Sequence, residues 1–107
     1  MIQNDLENTE KALLVGVNVA NEKDFDILME ELKELAKACN FYVSGEVIQN
    51  LDKVNRALYV GTGKVHEISD KIKELDCDLV IFNNELSPSQ LKNIQTYIDV
   101  PILDRTG

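Results

Sequence analysis

The chain is predicted to be an α/β domain of three layers, with a mostly parallel sheet of four to five strands and helices on both faces. Three observations lead there. Strand-like apolar runs alternate with helical patterns, as in chains that wind a sheet with crossovers. The strand-like runs are continuous rather than alternating in hydropathy, which marks strands covered on both sides. The 107 residues, 44% of them hydrophobic, suffice for one core and are too few for two.

Ala12-Leu13-Leu14-Val15-Gly16-Val17-Asn18-Val19 is the first such run and reads as an interior strand. From Asp24 to Cys39 the apolar residues Phe25, Leu28, Met29, Leu32, Leu35, Ala36 and Cys39 recur at helical spacing, with Glu30, Glu31, Lys33, Glu34 and Lys37 opposite them. Tyr42 to Ile48 reads as a second strand, Gln49 to Arg56 as a flexible polar loop, and Ala57-Leu58-Tyr59-Val60 as a short strand. Gly61-Thr62-Gly63 turns into a helix with Val65, Ile68, Ile72 and Leu75 on its apolar side. Asp78-Leu79-Val80-Ile81-Phe82 is another buried strand.

A third helix is predicted to start at Pro88. Ser87 is placed as N-cap, Gln90 closes an S-x-x-Q capping box, and Leu86 and Leu91 have the spacing of a hydrophobic staple. Val100 to Asp104 is a last strand, with Pro101 where an edge strand tolerates it. Residues 1–10 are polar and unpatterned and are expected to fray, which leaves 11–107 as the domain.

Charge and composition exclude several roles. The net charge is −8, with ten acids against four bases in residues 1–50. So negative a surface repels phosphate and argues against a broad nucleic-acid-binding face. No run approaches the ~20 apolar residues of a membrane span, and the first residues have no signal-peptide pattern, so a cytoplasmic location is expected. Cys39 and Cys77 are far apart, without a C-x-x-C pair, and read as reduced small apolar residues. His66 is the only histidine, too little for a metal cluster or a nucleophile–base pair, and is expected on a helix surface or at a cap.

In an open parallel sheet, ligands gather beyond the carboxyl ends of the strands. Asn18, Gln49, Asn50, Gly61 to Lys64, Asn83 to Glu85, Asp104 and Arg105 all fall there. Gly61-Thr62-Gly63-Lys64 has the composition of a phosphate-binding turn at a helix N-terminus. It matches neither established fingerprint: Leu58 and Val65 stand where a P-loop needs glycine and a hydroxyl, and His66 stands where a dinucleotide turn needs its third glycine. Two readings stay open, a strand-to-helix turn and an independent nucleotide site made by Asn18, Gly61, Gly63, Lys64 and Asn83. Asp104 and Arg105, an acid and a base directly after a strand, are candidates for contact with a neighbouring domain.

Taken together, the segments Ala12–Val17, Gly45–Gln49, Tyr59–Val65, Asp78–Gln90 and Pro101–Gly107 resemble the N-terminal domain of HflX-type GTPases, in order and in spacing. Glu85-Leu86-Ser87-Pro88-Ser89-Gln90, the Gly-x-Gly-Lys turn and Asp104-Arg105-Thr106 carry that resemblance most specifically. The resemblance implies a non-catalytic docking and regulatory domain, followed in the family by a helical hairpin and a G domain that binds GTP with Mg²⁺. It also implies action on the large ribosomal subunit, for which Lys53, Arg56, Lys64 and Lys92 are the candidate contacts. No catalytic residue, metal ligand or cofactor is assigned to this stretch itself.

Overall fold

The computed structural model describes residues 9–105. Most of the expected frayed segment, and Thr106 and Gly107, lie outside the described residues. The elements run β1 (Lys11–Val19), α1 (Phe25–Ala38), β2 (Tyr42–Leu51), α2 (Thr62–Leu75), β3 (Leu79–Phe82), α3 (Pro88–Gln95) and β4 (Ile102–Leu103). All ladders are parallel, in the order β2-β1-β3-β4. The sheet therefore has four strands, and the first apolar run is interior, as its continuous hydropathy predicts. The order reverses at β1, which places the switch point between the carboxyl ends of β1 and β3.

Alternate residues of β1 supply two cores. Leu13, Val15 and Val17 join Val80 and Phe82 under Val65 and Ile68 of α2 and Ile94 of α3. Ala12 and Leu14 join Leu79 and Ile81 under Phe25, Met29, Leu32 and Ala36 of α1. Both faces thus carry helices, and the sheet is the middle layer. Gly16 is what lets α1 come down: a Cβ there would lie 2.5 Å from Met29 Sδ and 2.8 Å from Phe25 Cζ.

The helix ends follow local chemistry. At α3 the Gln90 N–H donates to Ser87 Oγ (3.1 Å) and the Ser87 N–H to Gln90 Oε1 (3.0 Å), so the capping box forms with Pro88 in the first turn. The α2 helix stops where Asp76 turns left-handed (φ 56°) and the Cys77 N–H closes onto the Ile72 carbonyl at 2.9 Å.

Two expectations fail between Gln49 and Val60. Gln49, Asn50 and Leu51 extend β2, paired with Val17, Asn18 and Val19. The strand expected at Ala57–Val60 does not form, and only an isolated bridge joins Asn55 and Tyr59. The reason is an Asx-type turn: Asn55 Oδ1 accepts the N–H groups of Ala57 (2.8 Å) and Leu58 (2.9 Å), and Tyr59 takes φ 67°. Leu58 and Val60 are still buried, as plugs in the α2–α3 core rather than as a strand.

Nor is this segment a loose loop. Gln90 Nε2 donates to the carbonyls of Asn55 (3.2 Å) and Arg56 (3.3 Å), and Asn93 Nδ2 donates to that of Ala57 (3.0 Å). The glutamine that closes the α3 cap therefore also ties residues 55–57 to the helix.

Candidate functional site

The carboxyl end of the sheet collects the predicted polar residues, and most of their hydrogen-bonding capacity is turned inward. Val17, near the end of β1, donates its N–H to Asn84 Oδ1 (3.2 Å). The Asn84 side chain also hydrogen-bonds Tyr59, whose pKa is nevertheless raised, because burial of the phenol outweighs that bond. Gln49 Oε1 accepts the Gly61 N–H at 2.9 Å. Asp104 Oδ2 accepts the Leu86 N–H at 2.9 Å, and Arg105 Nε donates to the Asn83 carbonyl at 3.1 Å. The last two bonds clasp the β3–α3 connection from the end of the edge strand.

Each candidate can now be placed. Asn18 Oδ1 accepts the Glu22 N–H (2.7 Å), and the residue lines a shallow polar cleft with Asn21, Asn50, Leu51 and Asp52. Gly61 is the extended N-cap of α2, and Gly63, in its first turn, has open space where a Cβ would stand. Lys64 Nζ is bound to Glu67 Oε1 at 2.9 Å. Asn83 is 5% exposed, and its Oδ1 is buried without a partner. Arg56 is exposed on the pinned segment, Lys53 is exposed just before it, and Lys92 is exposed on α3 beside Ile102.

The structure therefore brings Asn83, Asp104 and Arg105 together, and separately Gln49 with Gly61. The cleft that Asn18 lines contains no residue of the glycine turn. The sequence does not single out Asn55, and it marks Gln49 and Asn84 only as strand-end amides and Gln90 only as a cap. No spacing rule announces a side chain that reaches backbone tens of positions away.

Chemically, this end offers amides and single charges rather than a convergent acid, base and nucleophile. Among the described residues no group of three His, Cys, Asp or Glu side chains could hold a metal ion. His66 lies on α2 edge-on to Tyr97, with ring centroids 5.5 Å apart. Cys39 is free and exposed; Cys77 is free and buried, and that burial, first among its causes, raises the thiol pKa. No helix among the described residues is long and apolar enough to cross a membrane.

These features define a small open-sheet α/β domain whose carboxyl end is closed by its own side chains and whose sequence carries no P-loop. A family profile described as GTP-binding GTPase N-terminal matches residues 26–107. The chain belongs to this family, as the N-terminal domain of HflX GTPases. It is 38% identical over 100 residues to the GTPase HflX of Lacrimispora saccharolytica, covering 94% of this chain and 24% of that protein. It is 40% identical over 105 residues to the GTPase HflX of Alkalihalophilus pseudofirmus, covering 97% of this chain and again 24% of the relative. The chain thus spans about a quarter of the length of these curated relatives. Among solved structures, the crystal structure of a variant of SsGBP superposes with a TM-score of 0.67 at 20% identity, over 91% of this chain and 29% of that one, and shows the same fold.

Proposed function

We propose that the chain is a non-catalytic docking and regulatory domain of a ribosome-associated GTP-binding protein that acts on the large ribosomal subunit in the cytoplasm. GTP and Mg²⁺ belong, in this reading, to a G domain elsewhere in the longer polypeptide, and this domain packs against that G domain and its helical hairpin. The observation that carries the reading is the match to about a quarter of relatives named GTPase HflX by a stretch without a GTP-binding fingerprint of its own. The pinned segment supports it further, because Arg56 stands on backbone held by Gln90 and is presented at little entropic cost, with Lys53 exposed three positions before it.

The test is co-sedimentation of the chain with purified large ribosomal subunits at low and physiological salt. Binding that weakens in a Lys53→Glu/Arg56→Glu double variant is the expected result. No co-sedimentation at either salt removes the ribosomal part of the reading. A parallel titration with ATP, GTP and GDP addresses the other use of this end of the sheet, a nucleotide site at Gly61–Lys64. A nucleotide there has to displace Gln49 from the Gly61 N–H and Glu67 from Lys64, so saturable binding lost in Lys64→Ala would mark an independent site.

A further inference from the structure

The Gln90 side chain is buried, 9% exposed, and its carboxamide is engaged at both ends. Its Oε1 accepts the Ser87 N–H at 3.0 Å and closes the cap of α3, while its Nε2 donates to the carbonyls of Asn55 (3.2 Å) and Arg56 (3.3 Å). One planar group thus joins a helix start to backbone 35 and 34 positions away. With Oε1 held by Ser87, the direction in which Nε2 points depends on where Ser87 stands.

Ser87 closes a connection that is itself gripped from the far side of the sheet. Arg105 Nε donates to the Asn83 carbonyl at 3.1 Å, and Asp104 Oδ2 accepts the Leu86 N–H at 2.9 Å. Leu86 is buried and immediately precedes the cap. Both bonds are partly buried and each uses a charged side chain, the combination that makes a hydrogen bond strong. The bonds form one continuous line, from Asp104 and Arg105 to the β3–α3 connection, through Ser87 to Gln90, and on to Asn55 and Arg56. Asn55 carries it one step further, because its Oδ1 holds the N–H groups of Ala57 and Leu58.

Both ends of the line face outward. At one end the Arg56 side chain is exposed. At the other, β4 is two residues long and the clasp follows it at once. The matching family profile describes an N-terminal region, and this chain covers 24% of its relatives, so in them the polypeptide continues past the position of Arg105.

We propose that this line is a conformational relay: the grip of Asp104 and Arg105 on the β3–α3 connection sets how tightly residues 55–59 are held, with Gln90 as the positioning residue between them. Opening the clasp lets Leu86 and Ser87 shift, turns the Gln90 carboxamide and loosens the backbone that presents Arg56. That a neighbouring domain opens it and a ribosomal partner reads Arg56 rests on the docking reading above; the coupling of the two ends does not.

The test is residue-resolved amide exchange of the 107-residue chain by NMR. Asp104→Ala with Arg105→Ala is expected to speed exchange at residues 55–59 by roughly fivefold or more. The comparison is Val65–Ile72 in α2, whose buried amides follow global unfolding. Asp104→Asn, which keeps an oxygen for the Leu86 N–H, should stay near the parent chain. Gln90→Glu separates relay from cap, because glutamate still accepts the Ser87 N–H in a capping box but has no donor for the Asn55 and Arg56 carbonyls. It should loosen residues 55–59 while the Leu91 amide, bonded to the Ser87 carbonyl in the first turn of α3, keeps its rate. In that background the clasp substitutions should add nothing at 55–59. Acceleration there no greater than at Val65–Ile72, or a clasp effect undiminished by Gln90→Glu, overturns the proposal. If the exchange results hold while the chain fails to co-sediment with large ribosomal subunits, the relay stands and only the ribosomal part of the docking reading falls.

Discussion

The two faces of the sheet are made by alternate residues of the same strands and are finished differently. Leu13 and Leu14 are adjacent and both fully buried, yet one lies under two helices and the other under the single helix α1. On the two-helix face, side chains from α2, α3, Leu58 and Val60 enclose Phe82 completely. On the other, the packing thins out past Ile81 into an open groove. What a strand buries is set by its own residues, whereas how firmly the burial is held depends on what the chain lays over it.

The largest effects should expose that contrast directly. Leu13→Ala and Leu14→Ala delete the same atoms, each at about 2–5 kcal/mol, with the spread set by how far the surroundings collapse. We expect Leu13→Ala to cost more, by about 1 kcal/mol, because α1 beside an open groove can settle and the two-helix face cannot. Urea unfolding of the pair measures this, and equal losses would mean that the two faces are equally rigid.

Gly16→Val breaks the comparison from the α1 side. Its new atoms meet Met29 and Phe25, and we expect a loss of about 1–3 kcal/mol in the same assay. Next comes Gln90→Ala, which removes half of the capping box and both bonds to the Asn55 and Arg56 carbonyls. A loss of about 1–2 kcal/mol is expected, accompanied by faster amide exchange at residues 55–59. Unchanged exchange there would mean that the segment is held by its apolar plugs alone.

Alkaline pH should act on the two-helix side. Burial favours the neutral forms of Cys77 and Tyr59, so their folded pKa values lie above the ordinary 9.0 and 10.0. The native state keeps these protons longer than the unfolded chain, so stability is unaffected below about pH 9 and declines as pH rises through the folded values. Melting temperatures from pH 8 to 11 should show that decline, and Cys77→Ala should make it shallower. Leu35→Glu should change stability least, within about 0.5 kcal/mol, since the side chain is half exposed in this chain. A larger loss would show that the groove already closes on itself.

Much of this was legible before any coordinates. The unbroken apolar run at Ala12–Val17 predicts an interior strand, and β1 is interior because a strand with apolar residues on both sides needs cover on both. Ser87-Pro88-Ser89-Gln90 predicts a helix start to the residue, because a capping box is closed by groups only three positions apart. Ala57–Val60 misled for the complementary reason: its apolar residues are buried, but Asn55 had already taken the backbone N–H groups that a ladder requires. Gln49–Arg56 misled similarly, since its polar side chains gave no sign that Gln90 and Asn93 would hold the backbone down. At the candidate site the residue types were visible, and so was their common location at the strand ends. Their mutual engagement was not.

Period, capping chemistry and hydropathy act over a few residues, so the sequence by itself determined the element types, the interior place of β1 and membership in an α/β class. Hydrogen bonds that span 12 to 36 positions, such as Gln49 to Gly61 and Asn93 to Ala57, depend on where strands and helices come to rest. Only the tertiary structure could decide which strand-end amides close the domain on itself and which face is left half covered, because each is a relation between elements rather than a property of any one of them.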